Sequence, residues 1–486
     1  DTCFRHWLSD ARRGPGQAGR SLDGSEMPPG TQLDVEDSVE EVAEDKSPND
    51  EAPPAVKPSF KDLARAFVLL GWTAFGGPQA HIALFQLEFV EGRKWISEGT
   101  FLELLALGQC LPGPTSTQVS FALGVIITGT VWGGLATGLL FQYPGFLMLT
   151  ALGFAFDEAL DSPNAAVRGL VGGLQAGGVS LVWLAAYQLG SKICKTKLHQ
   201  SLGALSAVLA FYHPEPYTFP AAIAIGGCVT YFDSTRKANR ANTNGDVSIN
   251  KRRSEEEGDT MDSVVSFGLS VPAGLFGIAV WLTALVGLLV YVSTTEYSEN
   301  NEGIFWFESA FRTGSLIFGG GQVVLPMLLD EVTHGKSRPW MTEEEFLTGL
   351  ALAQAMPGPL FNFAAYIGAV IDGGVGGAVV WWLGLFSPGV LLIFSMLPLW
   401  GKFRKSITYK RALPGLNSSA VGLVFAAAFQ LLFKGLGTES NKDFSQSLVC
   451  IGMSVFHLTA NLKVPAPVSI ITGGLVGLVA KVLGGS

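Results

Sequence analysis

One stretch of helix-breaking residues occurs twice in this chain, and that duplication limits the folds available to it. The first copy reads Phe75-Gly76-Gly77-Pro78-Gln79-Ala80-His81, then a short charged passage, then Leu107 to Gln118 with Pro112-Gly113-Pro114-Thr115-Ser116-Thr117-Gln118 at its end. The second reads Phe318 to Val324, with Gly319-Gly320-Gly321-Gln322, then Leu352 to Phe363 with Pro357-Gly358-Pro359-Leu360-Phe361-Asn362. The offset is 243 at Phe75/Phe318 and 245 at Pro112/Pro357. Between them Arg93 aligns with Arg338, Trp95 with Trp340, Glu98 with Glu343, Phe101 with Phe346 and Gln109 with Gln354.

The breaks interrupt apolar runs, which makes the surrounding composition decisive. The 486 residues are 48% hydrophobic and only 15% charged. A soluble chain carries about 25% charged residues. The 60 glycines suit closely packed membrane helices. The class expected is an all-α polytopic membrane protein with about 10 to 13 membrane segments. Residues 1–58 hold 13 acidic and 6 basic side chains, so this stretch alone carries −7 of the net −9. Rich in Asp, Glu, Pro, Gly and Ser, it is expected to be a disordered acidic tail. It starts at Asp1, as a fragment or processed form would; the arginines at 5, 12, 13 and 20 faintly suggest a transit peptide, against which Asp1 and Asp10 argue. No basic surplus points to nucleic acid. The five scattered cysteines form neither a disulfide framework nor a C-x-x-C metal site. No Walker loop, H-E-x-x-H or partnered G-x-S-x-G is present, so neither an enzyme nor an ATP-driven pump is expected, and no cofactor.

The segments divide as residues 1–58 (tail), 59–232 (first repeat), 233–262 (polar cytoplasmic linker) and 263–486 (second repeat). Pro144-Gly145 lies inside the span from Val131 to Phe156, and Pro388-Gly389 inside the span from Val375 to Trp400. Basic residues cluster at Lys192, Lys195 and Lys197, in the linker, and from Lys402 to Arg411, which places these loops in the cytoplasm. The acidic loop around Glu296, Glu299 and Glu302 is then outside. Half one begins inside and half two outside, so the repeats are expected to be inverted.

Irregular backbone at membrane depth survives where it is buried in protein or lines a cavity. The helix restarting after Pro114 offers N–H groups and a positive dipole end, an anion site. Thr115, Ser116, Thr117 and Gln118 add donors. The same residues also suit N-capping and helix contacts. The second half is less polar, with Asn362 as its donor, so an asymmetric site is expected. Gly76 and Gly77 allow close backbone approach, and Gln79 and Gln322 match across the repeats. His81 is ionisable within a membrane motif, a candidate for coupling to protons or a neutral structural group. Arg93 and Arg338 precede tryptophans and read as interfacial anchors, or as a vestibule for anions.

The F-G-G-P-x-A-H and P-G-P-x-x-T-Q blocks, with the weaker F-G-G-G and P-G-P of the second half, resemble the chromate ion transporter (CHR) family in its two-domain form. The resemblance covers residues 59 to 486. It implies chromate as the substrate, sulfate as its mimic, and efflux that confers chromate resistance, linked to the membrane potential or a proton gradient. Alternating access by one repeat rocking against the other fits the broken helices; an oxyanion channel or a sulfate-type uptake carrier fits the same pattern. The partners expected are the oxyanion and the lipid bilayer of a plasma membrane, with a homodimer left open.

Overall fold

A computed structural model of the chain describes residues 58–75, 77–160, 165–213, 217–243, 270–317, 325–334, 339–372, 374–400, 406–437 and 445–483. The acidic tail, most of the polar linker and the second Gly-rich block (318–324) lie outside the described residues.

Among the described residues, 17 helices follow one another. In the first half these are α1 Phe60–Thr73, α2 Gly77–Phe85 (continued by a π-helical turn, Gln86–Gly92), α3 Glu98–Cys110, α4 Thr115–Thr128, α5 Val131–Leu160, α6 Ala165–Ile193, α7 Lys197–Tyr212 and α8 Thr218–Thr243. A helix with no counterpart among the described residues, α9 Val271–Thr294, follows. The second half repeats the order: α10 Glu302–Ser315, α11 Leu325–His334, α12 Glu343–Ala355, a short 3-10 turn Leu360–Asn362 leading into α13 Phe363–Asp372, α14 Val375–Met396, α15 Ile407–Gly437, α16 Ser445–Ala460 and α17 Ala466–Leu483.

The duplication is visible in the helix starts. Ser97 caps α3 by accepting from the Thr100 N–H, and Thr342 caps α12 in a reciprocal capping box with Glu345. Each cap precedes its Pro-Gly-Pro by the same 15 residues. Both helices end where proline must follow, because proline disfavours helical geometry in the residue before it. Leu111 and Met356 are accordingly extended.

Among the described residues, five helices are long and apolar enough to cross a membrane, within α5, α6, α9, α14 and α15. α4, α13, α16 and α17 are apolar but shorter. The chain is an all-α polytopic membrane protein. α9 is the most apolar span and its surface is almost wholly uncovered by protein; Leu275, Phe276, Leu282 and Val290 face outward, as lipid-facing side chains do. α8 runs ten residues past Asp233 into the polar linker, carrying an i,i+4 pair between Asp233 and Lys237 at 2.7 Å.

Packing crosses the halves. α6 lies against α16 and α17, while its counterpart α15 lies against α7 and α8. One apolar core, built from α1 to α5, takes Leu392, Ile393, Leu397 and Trp400 from the second half. The other, built from α10 to α15, takes Leu149 of α5 and residues of α6 and α8. Small residues let backbones meet at the kinked helices. A Cβ at Gly71 of α1 would sit 2.8 Å from the Phe141 carbonyl and 3.0 Å from Pro144. Gly314 of α10 stands in the same way against Leu385 and Pro388.

Candidate functional site

In each Pro-Gly-Pro turn the prolines have no N–H, so glycine holds the single backbone donor. Gly113 N–H donates to the Ile317 carbonyl at 2.8 Å, and Gly358 N–H donates to the Ala74 carbonyl at 2.9 Å. Ile317 and Ala74 are the residues before the two Phe-Gly-Gly blocks. Each turn is therefore tied to the opposite repeat, at the point where that repeat's own helix breaks. Both glycines sit at positive φ, +127° and +90°, where side chains are strained.

Two buried amides extend the exchange. Gln118 Nε2 donates to the Pro112 carbonyl at 2.7 Å and to the Gly389 carbonyl at 3.2 Å, next to the Pro388 kink of α14. Asn362 Nδ2 donates to the Gln142 carbonyl at 3.1 Å, beside the Pro144 kink of α5, and Asn362 Oδ1 accepts from Trp382 Nε1 at 2.8 Å. Pro388 cannot bond the Gly384 carbonyl four residues back; the Ser387 hydroxyl lies 3.4 Å from it.

His81 is fully buried. Its Nε2 faces the Ala74 carbonyl at 3.1 Å, so that nitrogen carries the proton and donates. Its Nδ1 then accepts from the Ser116 hydroxyl at 3.3 Å. The ring stands edge-on to Phe141, centroids 5.4 Å apart. The Ala74 carbonyl thus receives two donors, one from each repeat, and a neutral His81 ties α1, α2, α4 and α5 together.

Several buried polar atoms have no hydrogen-bond partner among the described residues: Thr117 Oγ1, Gln118 Oε1, both side-chain atoms of Gln142, and Ser309 Oγ and Thr313 Oγ1 on α10. No acceptor among the described residues takes the N–H groups of Thr115, Ser116 and Thr117. Thr115 Oγ1 contacts the Gly108 carbonyl at 3.3 Å and Ser116 is spent on His81, so Thr117 holds the uncommitted hydroxyl of that turn. Buried polar groups are satisfied as a rule, and these lack a protein partner among the described residues.

The structure brings Pro112 to Gln118, His81, Pro357 to Pro359 and Asn362 into this network. Gly76 and Gln322 lie outside the described residues, as does Arg338, and the Gln79 side chain is not described. Arg93 pairs with Glu88 at 2.6 Å and lies over the Trp95 ring at 4.9 Å, the anchoring arrangement. Gln142, Ser309 and Thr313 were not singled out from sequence; a glutamine inside the apolar run Leu139 to Leu149 was the available signal. Among the described residues no group of His, Cys, Asp and Glu side chains could hold a metal. A cavity of about 460 Å3 lies elsewhere, between α6 and α16, with mostly apolar walls.

Asn362→Leu is expected to destabilise the chain by about 2 kcal/mol, since the Trp382 N–H loses its buried acceptor. Thermal unfolding of the detergent-purified protein measures it; a variant as stable as the parent would contradict the bond to Trp382.

Fold and site define a helical, multi-pass membrane protein whose central breaks are shared between two repeats. The family model described as Chromate transporter matches residues 61–231 and again residues 304–478, and the chain belongs to that family. A chromate transport protein of Pseudomonas aeruginosa is 28% identical over 422 residues, covering 86% of this chain and 92% of the relative. A chromate transport protein of Cupriavidus metallidurans is 25% identical over 425 residues, 87% of this chain and 93% of that protein. An uncharacterized transporter of Bacillus subtilis is 31% identical over 179 residues, which is 36% of this chain and 96% of its own length. No solved structure matches the chain.

Proposed function

We propose that the chain carries chromate across the plasma membrane as a secondary transporter. The observation that carries this reading is the pair of Pro-Gly-Pro turns tied to opposite breaks, beside polar atoms that have no partner among the described residues. The names of the Pseudomonas and Cupriavidus relatives support the substrate. A tetrahedral dianion accepts hydrogen bonds in several directions, so N–H and hydroxyl donors at the start of α4 suit it. Sulfate, of the same shape and charge, competes. Access alternates as one repeat rocks on the other around the crossed turns, with export as the physiological direction. His81 holds the break together and stays neutral; it does not carry the proton.

Thr117 supplies the sharpest test. Its hydroxyl has no partner among the described residues, so Thr117→Val removes none of the hydrogen bonds described for the fold and should leave the unfolding temperature unchanged. A hydrogen bond to a charged group contributes about 1.5–3 kcal/mol, so apparent chromate affinity should fall by roughly 10- to 100-fold. Flux of labelled chromate into proteoliposomes, with sulfate as competitor, measures this. Unchanged affinity would remove Thr117 from the site. Uphill accumulation driven by a second gradient identifies a carrier, simple equilibration identifies a channel, and absence of chromate flux removes the substrate.

A further inference from the structure

We propose that Gln118 selects the monoprotonated form of the oxyanion, hydrogen chromate, by accepting its hydrogen. The inference rests on the transporter reading above.

Gln118 is the fourth residue of α4, and its side chain turns back over the start of that helix. Its Nε2 donates to the Pro112 carbonyl at 2.7 Å and to the Gly389 carbonyl at 3.2 Å. Both partners are acceptors, which fixes the nitrogen on their side and leaves Oε1 as the remaining atom. Oε1 is buried and has no partner among the described residues. Beside it, the N–H groups of Thr115, Ser116 and Thr117 take no backbone acceptor among the described residues, and the Thr117 hydroxyl is unpaired there as well. Donors and one acceptor therefore share the first turn of α4.

A second amide stands at the same level. α4 and α5 run antiparallel, with Thr137 Oγ1 donating to the Ser120 carbonyl at 3.1 Å and Gly138 against the Phe121 ring. One turn further along α5, Gln142 is level with the start of α4. It is fully buried, and neither amide atom has a partner among the described residues. Repeat two carries Phe363 and Phe386 at the positions of Gln118 and Gln142, so both amides belong to repeat one.

A bare tetraoxo dianion only accepts hydrogen bonds. It suits the N–H groups and the Thr117 hydroxyl, but it sets oxygen against Gln118 Oε1. A monoprotonated oxyanion has one O–H as well; it donates that hydrogen to Oε1 and accepts from the others. A site with a buried acceptor disfavours a ligand that leaves it unmet. Chromate takes up a proton near neutral pH, sulfate only in strong acid. Sulfate thus meets the donors and competes, yet offers nothing to Gln118. The proton travels on the substrate. An O–H bond forms in water on the acidic side and breaks in water on the other, and no protein group changes its protonation.

α4 and α14 contain no titratable residue. On α2, His81 is held between the Ala74 carbonyl and the Ser116 hydroxyl. In the π-helical turn Glu88 pairs with Arg93 and Glu91 is exposed. α3 carries Glu98 and Glu103 in its first two turns and ends at Cys110; α5 carries Asp157 and Glu158 in its last turn. Tyr143 of α5 accepts from Trp72 Nε1 at 2.8 Å.

The test uses the full chain in proteoliposomes with a pH dye sealed inside and chromate dilute enough to stay monomeric. The half-saturating chromate concentration should fall roughly tenfold as the pH is lowered from about 8 to about 6, while that of sulfate stays put. The dye should report one proton delivered for each chromate. Equal pH responses for the two anions overturn the proposal, as does chromate uptake without proton delivery. Gln118→Lys keeps a nitrogen for the Pro112 and Gly389 carbonyls and removes the acceptor. It should lose the gain at low pH and bind sulfate at least as well as the parent; a Gln118→Lys variant that keeps the gain overturns the proposal. Gln142→Leu leaves Gln118 in place and should keep the ratio between the two pH values, whatever its rate. Loss of the ratio there makes Gln142 the acceptor and overturns the assignment to Gln118. Chromate flux with a flat pH response sinks this inference and leaves the substrate reading standing; no chromate flux at any pH sinks both.

Discussion

Gly113→Ala is expected to abolish transport and to destabilise the folded chain by about 3 kcal/mol or more. The residue stands at φ +127°, which alanine adopts only under strain. Its new Cβ would lie 2.7 Å from Gly389 Cα and 2.8 Å from Gln118 Nε2. The first neighbour is backbone and cannot swing aside, so the turn must withdraw from α14, and the bond from Gly113 to Ile317 goes with it. Gly129 is the control. It also has positive φ, +75°, but a Cβ there meets nothing within 4 Å, so Gly129→Ala should cost only about 1 kcal/mol. Gly358→Ala falls between, since its nearest contact is the Asn362 amide nitrogen at 3.4 Å. Unfolding temperatures and chromate flux of the three variants check the order; equal losses at Gly113 and Gly129 would contradict the close approach to α14.

Arg312→Met should be the most damaging single change outside the turns. The Arg312 guanidinium on α10 donates to Glu308 at 2.7 Å and to Glu331 of α11 at 2.8 Å; the change leaves Glu308, only 5% exposed, without its cation, and removing one partner of a buried pair costs about 3–5 kcal/mol. Adding Glu308→Met to Arg312→Met should restore part of the stability, since the carboxylate then left without its cation is the more exposed Glu331. A thermal series of the single and double variants measures the coupling. A single variant that unfolds with the parent would place the pair in solvent.

The helix breaks were legible in sequence because proline and glycine act locally. Pro112-Gly113-Pro114 stops α3 and starts α4 whatever surrounds it. The spans were legible as apolar runs, and Val131 to Phe156 became α5 with Pro144 inside it. The partners of the breaks were not legible. Nothing in Gly113 says that its N–H will find Ile317, some 200 residues away, because a backbone donor carries no side-chain signature. The N–H groups of Thr115 to Thr117 take no backbone acceptor among the described residues, while that of Gly113 is bonded to Ile317.

The crossed turns also bear on leakage. Each bond from a turn to the opposite break contributes about 1 kcal/mol while made, and a buried donor or acceptor left unmet costs about 1–3 kcal/mol. Parting one crossing while the other holds incurs that penalty once. Parting both together incurs it twice, and the Ala74 carbonyl is then held only by His81. States with both crossings parted are rarer than states with one parted, so under the proposed alternating access the two turns resist opening at once.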